Sequence, residues 1–260
     1  MNGLGVLLLK EWREMVRSFK LLWIPLVFIF FGILEPITNY YLPEIMKTVG
    51  NLPEGAEFTW PELQGKDIFV SLSGQYQFIG ILMIVLAFMG TIAGERKSGT
   101  ATLLYVRPLS FTSYFFSKWL VINAVLVASV WLGFSANWYY VHILYDAVEP
   151  KQALAFIMTY SLWIVFATTT VLMFSAWLPT GGTAFAGIFL LVFYPFIDTT
   201  IGAYWKVSPW KLPTYASDWF DPTLDRSHLW MSGGVTLLLI VLFIVFGIWM
   251  SKRNAAKTTV

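Results

Sequence analysis

Long runs without Asp, Glu, Lys or Arg are the dominant pattern along the chain. Leu21–Leu34 is uncharged, and its apolar character continues past Glu35 and Pro36 to about Leu42. Ile68–Gly94 is uncharged throughout and most apolar from Phe78 onward, Trp119–Tyr145 starts directly after Lys118, and Leu229–Ser251 ends at Lys252 and Arg253. A helix rising about 1.5 Å per residue needs about 20 apolar residues to cross a hydrocarbon core of ~30 Å. Gln152–Ile197 is too long for one crossing, and Leu178-Pro179-Thr180-Gly181-Gly182 near its middle has the Pro and Gly of a tight turn. The pattern therefore predicts an all-α integral membrane protein with six transmembrane helices, at about residues 21–42, 75–94, 119–145, 153–177, 182–204 and 230–250.

Ahead of these, residues 1–20 have a different period. Leu4, Leu8, Trp12, Met15 and Phe19 recur at spacings of four and three, while Lys10, Arg13, Glu14 and Arg17 line the other face. This predicts an amphipathic interfacial helix whose basic face meets lipid phosphates, with simple anchorage and partner docking both open as roles. A cleavable signal is not expected here: the basic stretch is long, it holds Glu11 and Glu14, and Glu35-Pro36 follows instead of a small-residue cleavage site.

Composition sharpens the class. Hydrophobic residues make up 57% and charged residues 12% of the 260, and mean hydropathy is +0.67; a soluble domain of this size cannot bury so much apolar surface, whereas a bilayer accepts it. There is no cysteine, which removes disulfides, thiolate metal sites and thiol nucleophiles. His142 and His228 are the only imidazoles and form no zinc pattern, so no metal site is expected. The basic residues form no groove with stacking platforms, so neither is nucleic-acid binding.

Sorted by position, the charges orient the chain. With six crossings both termini share a side, and that side holds Lys10, Arg13, Arg17, Lys20, Arg96, Lys97, Arg107, Lys118, Lys252, Arg253 and Lys257, eleven of the seventeen basic residues, against three acids. The opposite side holds six bases and ten acids. By the positive-inside rule both termini are expected to be cytoplasmic.

The stretch between the second and third spans is the most informative. After Glu95, Arg96 and Lys97, Gly99 breaks the chain, a short helix is predicted from about Thr100 up to Pro108, and Ser110 can cap the next helix. Residues 95–117 thus read as a helical knob, longer than a plain connection requires. In order and spacing, Glu95, Gly99, Thr100, Leu103, Leu104, Pro108, Leu109, Ser110 and Lys118 resemble the type-2 ABC transporter permeases, whose hallmark is a Glu, then Gly-Thr, a Leu-Leu pair and a Pro-Leu-Ser. Thr102 and Phe111 depart from the acidic residue and Arg common in that family. The resemblance extends to the amphipathic N-terminal helix, six spans, an outer loop after the first span and a Pro-rich outer segment before the last.

That resemblance implies that residues 95–117 are a cytoplasmic coupling segment, fitted into a separate ABC ATPase that binds ATP and Mg. It also implies a second permease chain, identical or paralogous, and a bacterial plasma membrane. No G-x-x-x-x-G-K-[ST] occurs in the chain, so no cofactor, catalytic residue or ATP site of its own is expected. The implied function is the membrane subunit of an ATP-driven exporter; the alternative is a non-transport scaffold or sensor that uses an ABC ATPase for signalling.

Further residues carry open readings. Glu35 and Asp198 are the only acids inside apolar runs, and hydration from the outer face is the first expectation for both, with an outer gate as the second for Asp198. Residues 205–229, rich in Pro and Trp, suit an interfacial loop and, by resemblance, short re-entrant helices on the outside. Phe78, Met83, Phe189 and Phe193 either line an apolar pathway or serve packing.

Overall fold

The computed structural model describes residues 3–49, 62–100, 110–202 and 204–258, and all regular elements among them are helical. Six helices are long and apolar enough to cross a membrane: Lys20–Met46, Gly65–Lys97, Phe111–Leu144, Pro150–Trp177, Thr180–Asp198 and Ser227–Asn254. The protein is an all-α, six-span integral membrane bundle, with these helices as its first to sixth spans.

Two spans, the second and third, begin at least two turns earlier than the charge pattern predicts. The second starts at Gly65, where Asp67 accepts from the Gln64 amide and the Gln64 side chain accepts in return, a reciprocal cap. Lys66 and Asp67 are therefore helix-start residues, and Ile68, Phe69 and Leu72 on the next turn are fully buried. The third starts at Phe111, because Ser110 accepts from the Ser113 amide at 3.1 Å as the expected cap, and Tyr114 and Lys118 then turn inward.

The fourth span is the spine, packed by the third and sixth, and its turns from Phe166 to Leu172 are wholly buried. Phe69, Phe134, Phe156 and Tyr160 meet as an aromatic cluster in the interior. First and third spans cross at a glycine pair: a Cβ on Gly32 would sit 2.2 Å from the Gly133 carbonyl oxygen. Only backbones without side chains approach so closely, a standard device where lipid provides no hydrophobic drive between helices.

Residues 65–75, 141–152 and the segment after the fifth span share one end of the bundle. That segment forms a 3₁₀ turn Pro209–Lys211, a short helix Leu212–Ala216 and a second 3₁₀ turn Ser217–Phe220. Leu212 and Ala216 are fully buried, the Trp219 indole donates to Thr159 Oγ1 at 2.9 Å, the Trp210 indole donates to the Leu190 carbonyl at 3.0 Å, and Phe220 stacks on Phe156. These residues are built into the bundle end, so the aromatics predicted for a surface loop serve packing as well.

Candidate functional site

At the opposite end, three chain segments meet in a buried ionic knot. The N-terminal helix Gly3–Arg17 packs against the third span and turns its Leu7–Glu11–Met15 stripe inward. From the third span comes Lys118, with no exposed surface; from the end of the second comes Glu95. Lys118 Nζ lies 2.9 Å from Glu11 Oε1 and 2.9 Å from Glu95 Oε1. Lys10 adds ion pairs to Glu11, Glu14 and Glu95, and Tyr114, one turn before Lys118, donates its hydroxyl to Glu95 Oε2 at 2.6 Å.

A lysine removed from water costs several kcal/mol unless its partners are close and fully bonded. Here one buried ammonium is shared by two carboxylates, and those carboxylates belong to segments far apart in sequence. For Lys10, burial pulls the pKa down, and the charges of Glu11 and Glu95 outweigh it, leaving the group above its ordinary value. Oxygens of Glu11, Glu14 and Glu95 come within 4.8 Å of one another, the one such acidic group among the described residues. Lys10 reaches all three acids and Lys118 two of them, so ammonium groups already fill this donor set.

Glu95 is held by a second device. The second span breaks at Met89–Ile92, and the fourth span's Ser175 bridges the break: its Oγ accepts from the Ile92 and Ala93 amides at 3.0 and 3.1 Å and donates to the Met89 carbonyl at 2.9 Å. Arg96 then donates to the Ala176 and Leu178 carbonyls at the end of the fourth span, at 2.8 and 2.6 Å. Lys20 of the first span donates to the Ala87 carbonyl just before the break. The helix Ala93–Lys97 ends at Gly99, whose φ of +75° is the left-handed cap that favours glycine.

Among the expected coupling residues, Glu95 is thus in the knot, Gly99 is a helix stop, Thr100 is exposed with its hydroxyl 2.8 Å from Ser98, and Ser110 is a cap. Leu103, Leu104, Pro108 and Leu109 lie outside the described residues. Sequence reasoning missed the roles of Glu11, Tyr114, Ser175 and the buried Lys118. The i, i+4 spacing of Tyr114 and Lys118 was the available signal.

The N-terminal helix departs from its expected faces. Met15 is buried against the bundle, whereas Trp12 and Phe19 of the same predicted stripe point outward with Leu9 and Val16. Arg13 and Arg17 are exposed as expected, while Lys10 is drawn into the knot. Phe19 has a φ of +56°, which turns the chain sharply into the first span.

Of the expected pathway residues, Phe78, Phe189 and Phe193 are all about half exposed, and each lies in a π-helical turn, 76–80 or 189–193. The extra residue of a π turn shifts the helix register, which here leaves Phe185, Phe189, Phe193 and Phe196 bare along the fifth span. Phe78 and Phe196 flank a groove of about 200 Å³ between the second and fifth spans. Met83 differs: it is half-buried against the core.

Hydration of Glu35 and Asp198 is overturned. Glu35 is 4% exposed and accepts from Asn39, Ser71 and Gln75. Asp198 is 5% exposed, pairs with Lys211 at 2.9 Å and accepts from the Trp205 indole at 2.5 Å. Both lie on helices whose neighbours reach over them, so side chains do what water was expected to do.

Comparison with known proteins places this architecture. The family model described as "ABC-2 family transporter protein" matches residues 6–206, from the N-terminal helix through the fifth span. The chain is also similar to the uncharacterized transmembrane protein YxlG of Bacillus subtilis, 30% identical over 97% of this chain and 98% of that one.

Proposed function

The chain belongs to the ABC-2 transporter family, and from that premise we propose that it is the membrane-spanning permease subunit of an ATP-driven exporter. It is a multi-pass protein of the bacterial plasma membrane and a transport subunit, not itself an ATPase. In this reading both termini and residues 95–117 are cytoplasmic, the N-terminal helix lies in the membrane interface, and a partner ABC ATPase binding ATP and Mg engages the segment after Glu95.

The observation that carries the reading is the shared ammonium of Lys118. Both ends of the coupling segment, Glu95 on one side and Tyr114 with Lys118 on the other, are bound to each other and to Glu11. A push on the segment therefore moves the second span, the third span and the N-terminal helix together. A flexible connection would dissipate it. The bare aromatic faces of the second and fifth spans suit a second permease chain, identical or paralogous, with an amphipathic or hydrophobic cargo passing between them.

Two experiments test this. The chain has no cysteine, so Ser98→Cys provides a single thiol; an impermeant maleimide should label it only after cells are permeabilised, and labelling in intact cells would overturn the orientation. Co-expression with a cognate ABC ATPase should yield a complex that hydrolyses ATP. A Gly99→Ala/Thr100→Ala pair should cut that hydrolysis, and unchanged hydrolysis with unchanged export would show that the coupling segment is misassigned.

A further inference from the structure

The fourth and sixth spans leave an open groove of about 550 Å³ between them, at the same end as the knot. Met173 and Trp177 of the fourth span form one wall, and Leu242, Val245, Phe246 and Trp249 of the sixth form the other. No polar side chain lines it. Trp177 and Trp249 are both half exposed, and Phe246 lies between them in ring contact with each, at 5.9 and 5.7 Å. Paired tryptophans at one depth mark the headgroup level of a bilayer, so the groove runs from that level into the acyl region.

Its mouth is cationic. Lys252 and Arg253 follow Trp249 by one turn, and the Arg253 guanidinium lies over the Trp249 ring, 5.5 Å from its centroid. Asn254 fixes this turn to the end of the fourth span by donating to the Ala176 carbonyl at 2.8 Å. Among the described residues no carboxylate pairs with either cation. Lys252 and Arg253 are exposed, whereas the more buried cations at this end, Lys10, Lys20, Arg96 and Lys118, are each committed to an acid or a carbonyl.

From this combination we infer that the groove between the fourth and sixth spans is a binding site for one anionic phospholipid. The acyl chain lies along Leu242, Val245 and Trp177, and the headgroup phosphate, with its net negative charge uncompensated, meets Arg253 and Lys252. A zwitterionic lipid fits the apolar wall equally but carries its own cation, which the two basic side chains repel. Selectivity for net charge is therefore the property that separates a built site from the general lipid coat. The inference does not depend on the transport reading, since it uses only the groove, the charges and the bilayer.

Native mass spectrometry of the full chain, delipidated in detergent and titrated with phosphatidylglycerol or phosphatidylcholine of the same acyl composition, tests it. One phosphatidylglycerol should bind more tightly than phosphatidylcholine. Arg253→Gln and Lys252→Gln should each weaken it by about fivefold, the worth of one basic residue near an anionic surface. Val245→Trp, which fills the groove without changing charge, should abolish the selective site. Lys151→Gln, exposed at the other end of the bundle, should leave it intact and controls for total charge. Equal affinity for the two lipids, or a double Arg253→Gln/Lys252→Gln variant that binds as wild type, would overturn the proposal. So would a Val245→Trp variant that loses dimers and keeps its lipid, because the groove would then seat a second copy of the chain.

Discussion

At one end of the bundle Glu11 and Glu95 share Lys118 and Lys10; at the other, Glu35 is as deeply buried, yet its donors Asn39, Ser71 and Gln75 are all neutral. Both arrangements satisfy a carboxylate away from water, but they tie the chain differently. The charged knot binds three segments through one ammonium, so no member can leave without stranding another's charge. The neutral cluster joins the first and second spans through hydrogen bonds that can be exchanged one at a time. Buried charge at the knot gives a rigid, all-or-none joint, which suits a place where force enters. Neutral donors around Glu35 give a joint that tolerates replacement.

The largest effect expected from this contrast is at Lys118. Lys118→Met should destabilise the folded chain by about 3–5 kcal/mol, since Glu11 and Glu95 lose their one fully buried counter-ion and keep only the partly exposed Lys10. Thermal unfolding of the purified protein measures it. Adding Glu11→Gln and Glu95→Gln to Lys118→Met should recover most of the loss, because no carboxylate is then left short of a cation and the partly exposed Lys10 keeps Glu14 and the solvent. If the triple variant is as unstable as the single one, the knot is not held by the ion pairs.

Asp198 lies between the two extremes, with one cation and one neutral donor. Asp198→Asn keeps an acceptor for the Trp205 indole but loses the charge that holds Lys211. A loss of about 1.5–3 kcal/mol is expected, the range for a hydrogen bond to a charged group. Intact folding combined with lost export would point instead to the outer gate. Lys211→Met should behave alike, and a double variant should cost less than the two single losses added.

What the sequence made legible follows the same division. Six crossings could be read because a bilayer demands long apolar runs, and composition records that demand directly. The knot could not be read, because Glu11 looks like any acid on a polar helix face and its partner lies 107 positions away. Lys118 misleads in a particular way: a lysine directly ahead of an uncharged run reads as the edge of the membrane, yet it is the most deeply buried cation among the described residues and the third span starts at Phe111. Glu35 and Asp198 both read as lying near a span end, but position along a helix cannot say that Ser71, Gln75 or Lys211 reach over them. The family motif points to Glu95, Gly99 and Ser110, and the structure adds that Ser175 of another span fixes the break before them.

Glu35→Gln should have a far smaller effect, within about 1 kcal/mol of wild type, the scale of one neutral hydrogen bond. Gln75 donates through Nε2 to the carboxylate, and its own Oε1 is buried with no partner. A glutamine at position 35 supplies an N–H for that oxygen once the Gln75 amide rotates, so the swap trades a charged acceptor for a matched amide pair. A loss as large as that of Lys118→Met would show that Glu35 holds a charge partner and that the two ends are alike after all.

The smallest effect concerns pH. The Lys10 pKa stands above its ordinary value because the attraction of Glu11 and Glu95 outweighs burial. A lysine raised in the folded state contributes stability that is fully present below its unfolded pKa, about 10.5, and lost only as pH rises through the folded value. The difference in unfolding temperature between wild type and Lys10→Gln should therefore stay constant from about pH 6 to 9 and narrow only in strongly alkaline solution. Narrowing between pH 7 and 9 would mean that Lys10 is held less firmly than its ion pairs imply, and that the knot reduces to the single buried ammonium of Lys118. A flat profile keeps Lys10 as the outer member of the joint, charged throughout the range in which a partner could act on it.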